Sequence, residues 1–178
     1  GEASEFDDFD ELYAAFEKQL NHFADIKIRG NLVIERLYAQ FMPCPFLSLL
    51  TADCIANGRD YHDGGARYNT SYIQGVGMGS LTDMLSSIRA HVFEKGSLSM
   101  AKLLEALKSD FADERLRLLL SNRTPRYGND DDQADELTKR IFESVFAAID
   151  GRKNTRGGAY AINLLPTTCH IYFGSVMI

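Results

Sequence analysis

Cysteine is scarce in this sequence: Cys44, Cys54 and Cys169 are the only three in 178 residues. The count is odd and no Cys-x-x-Cys pair occurs. A disulfide framework is therefore not the organising device, and the thiols read as reduced, as in a cytoplasmic protein. His22, His62, His91 and His170 lie far apart, and no His-x-x-x-His or Cys/His cluster marks a zinc site. No basic run exceeds two residues and the net charge is −6, which gives nucleic-acid binding no electrostatic support. No apolar run approaches the ~20 residues of a membrane-spanning helix. The acidic start, GEASEFDDFDE, lacks the basic-then-apolar layout of a signal peptide. There is no internal repeat and no low-complexity tract.

What is present is ordinary globular composition, 45% hydrophobic and 25% charged, in a chain long enough for one domain with a real core. The chain is organised around Asp63–Ile88, DGGARYNTSYIQGVGMGSLTDMLSSI. It reads as glycine turn, strand over Tyr68–Val76, glycine-rich turn, helix. Gly75, Gly77 and Gly79 alternate, and Ser80 or Thr82 is the expected N-cap. Leu81, Met84, Leu85 and Ile88 give the helix one apolar face. GVGMGS looks like a dinucleotide fingerprint, but Ser80 stands where the third glycine belongs. About 20 residues on, where a ribose-binding acid at a strand end is required, the sequence is helical instead. The glycines are read as allowing close packing of strand on helix.

Helical spacing runs from Phe9 to about Gln40 through Leu12, Phe16, Leu20 and Phe23, and on through Ile26, Ile28, Val33, Ile34 and Leu37, with a possible break at Gly30–Asn31. Pro43-Cys44-Pro45 ends it. A short helix follows over Phe46–Ala56, closed by Asn57-Gly58. Beyond Gly96, Ser97 or Ser99 caps a helix with Leu103, Leu104 and Leu107 inside, and Arg115–Leu120 makes another. Asp130–Asp132 then opens a helix with Leu137, Ile141, Val145 and Ala148 on its inner stripe. Gly157-Gly158 leads into an extended segment near Tyr160–Leu164, and a second element is expected near His170–Phe173. The chain starts straight into a helix and stops in apolar residues at Ile178, so both ends suggest a piece of a larger protein. The expected fold class is α/β, mainly helical, with about five to seven helices and two or three short strands.

Four strings stand in a telling order: DELYAAFEKQL at Asp10–Leu20, GGARYN…YIQGVG at Gly64–Gly77, RYGNDDD at Arg126–Asp132, and GGAYAINLLPTTCHIYFG at Gly157–Gly174. Together they resemble the middle-to-late segment of a glycyl radical enzyme of the pyruvate formate-lyase-like superfamily, over nearly the whole chain. DIKIRGN, MPCP, GGARYNTSYIQGVG and LPTTCHIYFG look most like the branch that dehydrates trans-4-hydroxy-L-proline. The resemblance implies that residues 1–178 are part of a ten-stranded α/β barrel domain, between the catalytic cysteine loop and the C-terminal glycyl radical domain. It also implies a lyase with a glycyl radical installed by an iron–sulfur, S-adenosylmethionine-dependent activase. The radical is passed to a cysteine that abstracts hydrogen from a small substrate. The implied partners are that activase and a second copy in a homodimer, with no nucleic acid and no membrane.

The sequence departs from the family in one respect. Neither the Gly-Cys-Val-Glu thiyl motif nor the Arg-Val-Ala-Gly-Tyr radical motif occurs, so no catalytic residue is assigned and the isolated chain is expected to be inactive. The resemblance assigns substrate contact to Thr167 and Thr168, on a strand that lines the barrel; the alternative is two buried threonines satisfied by neighbouring backbone. Cys169 reads as a small buried hydrophobe, His170 as a structural hydrogen-bonding group, Cys44 as a packing residue, and Arg67, Tyr68 and Asn69 as holding the start of the strand. Other readings are a different glycyl radical lyase (formate acetyltransferase, glycerol or diol dehydratase, C–N lyase) or a non-catalytic helical scaffold. A partial barrel exposes edges and apolar surface, so the chain alone is expected to self-associate.

Overall fold

A computed structural model describes residues 3–165. Among them are seven α-helices and two strands: α1 Phe9–Phe41, α2 Pro45–Leu50, α3 Cys54–Asn57, β1 Ser71–Gly75, α4 Met78–Ile88, α5 Met100–Lys108, α6 Glu114–Asn122, α7 Asp132–Ile149 and β2 Tyr160–Leu164. The expected element near His170–Phe173 lies outside the described residues. Contacts divide the chain into two compact units, one of residues up to Gln19 with Gly77–Ser144, the other of Leu20–Val76 with the residues from Val145 on.

In the first unit the core gathers around Tyr13, Leu137 and Ile141, all essentially inaccessible to solvent. Tyr13 is fixed from both sides: its hydroxyl lies 3.0 Å from Ser144 Oγ, and the Arg140 guanidinium stacks 3.8 Å from its ring centre. The RYGNDDD string forms the approach to α7. Asp83 accepts the Tyr127 amide at 2.9 Å, Ser86 Oγ donates to the Pro125 carbonyl at 2.7 Å, and the Asp131 carboxylate caps α7 by accepting from Gln133 and Ala134 N–H. Buried Thr82 meets Thr138 at 3.1 Å, joining α4 to α7.

The second unit holds the sheet. β1 and β2 run parallel, with Ser71 opposite Tyr160 and Gly75 opposite Leu164, and the ladder is extended where Leu165 N–H donates to the Gly75 carbonyl. One face of the pair packs on Ala24 and Ile28 of α1 and Ala148 and Ile149 of α7, with Ile73, Tyr160 and Ile162 contributed by the strands. Burying such aliphatic side chains contributes about 1.5–3 kcal/mol each.

Several boundaries differ from the sequence reading. Helix α1 runs unbroken through Gly30; an interior glycine costs only about 1 kcal/mol against alanine, and packing of the helix overrides it. The expected Phe46–Ala56 helix is two pieces, because Asp53 takes a left-handed φ of 75° and N-caps α3. Strand β1 starts at Ser71, not Tyr68. The N-cap of α4 is Gly77 at φ 90°, not Ser80 or Thr82. The inner face of α4 is Thr82, Leu85 and Ser86, while Met84 is exposed, so two polar residues that find hydrogen-bond partners, the Thr138 hydroxyl and the Pro125 carbonyl, share the buried face with Leu85. Past Ile88 the chain continues as a π-helical turn, Arg89–Glu94. In α5, Ser99 is the cap, and Leu107 faces solvent.

Candidate functional site at the carboxyl end of the parallel strands

The pleat gives the two faces of the sheet different chemistry. On the helix side lie Ile73, Tyr160 and Ile162. Gly75 shares that face: a Cβ built on it would meet Leu164 Cδ2 at 2.9 Å and Ile162 Cγ2 at 3.9 Å. Glycine there gives the Leu164 side chain of the neighbouring strand room, a packing role rather than a nucleotide-binding one. The opposite face carries Tyr72, Gln74 and Val76 of one segment and Ala161 and Asn163 of the other. Among these, Tyr72, Gln74, Val76 and Asn163 are exposed.

The amino end of the sheet is locked by one carboxylate. Glu35 Oε1 accepts from Ser71 Oγ at 2.5 Å and from Tyr160 Oη at 3.1 Å. Glu35 Oε2 accepts from the Thr155 amide at 3.0 Å and its hydroxyl at 2.8 Å. Burial works against ionisation of Glu35, but the hydrogen bonds from Ser71, Thr155 and Tyr160 outweigh it and hold the carboxyl below its ordinary value. Tyr160 is pushed up to about 12, by burial and then by the adjacent Glu35 charge.

A second carboxylate organises the stretch between α1 and β1. Asp60 accepts from the Cys44 amide at 2.9 Å, Ser48 Oγ at 2.7 Å, the His62 amide at 2.9 Å and the Cys44 thiol at 3.6 Å. Burial and the Asp60 charge raise the Cys44 thiol, which stays protonated. Cys44, Asp60 and one His62 ring nitrogen all lie within 4.8 Å of one another, the one such group of potential metal ligands among the described residues. The four acceptor interactions occupy the lone-pair sites of the carboxylate, so the cluster is built as a cap for two turns. Arg67 forms a two-pronged pair with Asp53 at 2.8 Å for each contact. Asn69 Nδ2 donates to the Ala66 carbonyl at 2.8 Å, and the Tyr68 side chain is exposed.

Thr167 and Thr168, the expected substrate contacts, lie outside the described residues, as do Cys169 and His170. What is described stops at Leu165, paired with Gly75 at the carboxyl end of both strands. In parallel α/β sheets ligands bind beyond that end. Sequence reasoning missed Glu35 and Asp60. Neither sits in a motif, and their partners are up to 125 residues away.

Among known proteins, the model of the family described as "Pyruvate formate lyase-like" matches residues 1–174. A trans-4-hydroxy-L-proline dehydratase from Clostridioides difficile is 51% identical over 178 residues, 99% of this chain and 23% of the relative. A solved hydroxyproline dehydratase from the same organism, with trans-4-hydroxy-L-proline bound, superposes with a TM-score of 0.92 over 98% of this chain and 22% of that one, at 51% identity. A glycyl radical enzyme from Archaeoglobus fulgidus gives a TM-score of 0.83 at 34% identity, over 93% of this chain and 21% of that one. The chain thus spans less than a quarter of the length of these relatives, and its helices and small sheet are a fragment of their barrel. It belongs to the pyruvate formate lyase-like family, whose members here are glycyl radical dehydratases and lyases.

Proposed function

We propose that this chain is a wall segment of a glycyl radical dehydratase that removes water from trans-4-hydroxy-L-proline. The observation that carries the reading is the 51% identity to a dehydratase of that substrate, maintained across 99% of the chain. In this reading residues 1–178 belong to one barrel domain, the whole enzyme is a homodimer, and its glycyl radical is installed by an iron–sulfur, S-adenosylmethionine-dependent activase.

The radical pair is not held by these residues. The sequence has neither motif. The whole enzyme supplies hydrogen abstraction from elsewhere in its chain. These residues supply a rigid wall: Glu35 fixes the amino end of both strands, and the carboxyl end is presented to the substrate. The resemblance to the hydroxyproline branch makes Thr167, not Thr168, the expected substrate contact. Thr167 would then hydrogen-bond the substrate, and Thr168 would serve packing.

The test is turnover by the intact enzyme containing this segment, anaerobically activated, with radical content quantified. The substrates are trans-4-hydroxy-L-proline, glycerol, propane-1,2-diol and isethionate. Loss of water from hydroxyproline, faster than any reaction of the others, is the expected result. Preference for another substrate overturns the assignment, and no turnover by a radical-loaded enzyme favours a scaffold. The isolated chain, given activase, S-adenosylmethionine and reductant, is expected to show no glycyl electron paramagnetic resonance doublet.

A further inference from the structure

The sheet face turned away from α1 and α7 carries two side-chain amides at the same level. Gln74 and Asn163 are register partners on adjacent parallel strands, about 4.8 Å apart in the hydrogen-bonding direction. Both are exposed. Their backbone neighbours Ile73 and Ile162 are packed into the core cluster on the other side, so the pleat directs the amides away from it. The contact between the Gly75 position and Leu164 independently fixes which residues share the helix side.

Neither amide has a hydrogen-bond partner among the described residues, and they do not bond to each other. Asparagine is depleted in strands. Sheets covered by helices on one face and closed into barrels turn the other face inward, where an unpaired amide costs free energy.

We propose that Gln74 and Asn163 form a two-amide clamp for the carboxylate of the substrate. This inference rests on the reading above and adds the residues that recognise the acid group. Each side chain offers an NH2 donor that carries no charge and stays a donor at every working pH. Two such donors on neighbouring strands can bond the two oxygens of one carboxylate. Glycine at position 75 keeps β1 close to β2 beside them.

The experiment uses the intact, activated enzyme with radical content measured per protomer. Asn163→Leu and Gln74→Met keep size and remove the amides. Each is expected to lower kcat/KM for hydroxyproline by about ten- to a hundredfold, mostly through KM, at unchanged radical content and melting temperature. For 3-hydroxypyrrolidine, which lacks the carboxylate, wild type and variants are expected to react equally slowly. Asn163→Asp keeps the shape and sets an anion against the carboxylate, so its loss should exceed that of Asn163→Leu. Equal proportional losses on both substrates, or an unchanged KM in all three variants, overturns the clamp. A gain in affinity in Asn163→Asp also overturns it, because the bound group is then cationic. Failure of wild type to dehydrate hydroxyproline counts against the underlying reading. The variants then test the clamp on whichever hydroxy acid the enzyme does use, and a preferred substrate without an acid group overturns the clamp too.

Discussion

Glu35 and Tyr160 stand 125 residues apart in sequence and 3.1 Å apart in space, the tyrosine hydroxyl donating to the carboxylate. The same oxygen accepts from Ser71, so one side chain of α1 holds the first residue of each strand. Replacing it by its amide tests the latch. In Glu35→Gln, whichever oxygen becomes NH2 faces two donors, and the Thr155 backbone N–H cannot turn away. The expected loss is about 1–3 kcal/mol, read from denaturant melts.

The latch also predicts a pH window. The Glu35 carboxyl is held below its ordinary value of 4.5, burial being outweighed by the hydrogen bonds from Ser71, Thr155 and Tyr160. Its contribution is therefore complete above the unfolded pKa and lost as pH falls through the lowered folded value. Tyr160 is raised from 10.0 to about 12, so its contribution is complete below 10.0 and lost as pH rises through about 12. Wild-type stability should decline at both extremes, and Glu35→Gln should flatten the acid limb. An unchanged acid limb contradicts this.

His91 is 1% exposed, with Nε2 3.1 Å from Thr124 Oγ1 and Nδ1 3.1 Å from Ser97 Oγ. The Thr124 hydroxyl donates to the Leu120 carbonyl and the Ser97 hydroxyl to the His91 carbonyl; the ring is neutral at neutral pH because its pKa is lowered. Burial, and then the Lys95 charge, lower its pKa from 6.5. A lowered value means stability that is complete above 6.5 and lost as pH falls through the folded pKa. His91→Ala should cost about 2–4 kcal/mol at neutral pH through the cavity and the abandoned hydroxyls. The gap from wild type should narrow in acid. A gap that widens in acid contradicts the neutral-ring account.

Two glycines should respond differently to alanine. Gly64 has φ +79°, and an added Cβ would collide with the Arg156 carbonyl, which is backbone. Gly75 would press only on the end of the Leu164 side chain. Gly64→Ala is expected to cost more than about 2 kcal/mol, and Gly75→Ala about 1–2. Melting temperatures in the reverse order would contradict the geometry.

These cases show what the sequence could reveal. Helix α1, the aspartate cap of α7 and strand β2 were legible because periodicity and capping act within a few residues. The α4 start was misplaced because Gly77, in a left-handed conformation, does the capping without a side chain. The helix after Pro45 was read as continuous because nothing local announces that Asp53 turns out to grip Arg67. Of the candidate site, the two strands were visible, but not their parallel pairing. Glu35, Asp60 and the Gln74–Asn163 register were not, since each depends on parts of the chain brought together by folding.

The central claim is that this chain contributes a substrate contact through Thr167 and not through Thr168. The most direct measurement compares Thr167→Val and Thr168→Val in the intact enzyme, as kcat/KM per glycyl radical. Valine keeps the shape and removes the hydroxyl. A hydrogen bond to a charged substrate group is worth about 1.5–3 kcal/mol, so Thr167→Val should lose about ten- to a hundredfold, while Thr168→Val should change melting temperature and leave turnover per radical near wild type. Full activity in Thr167→Val with loss in Thr168→Val would contradict the account.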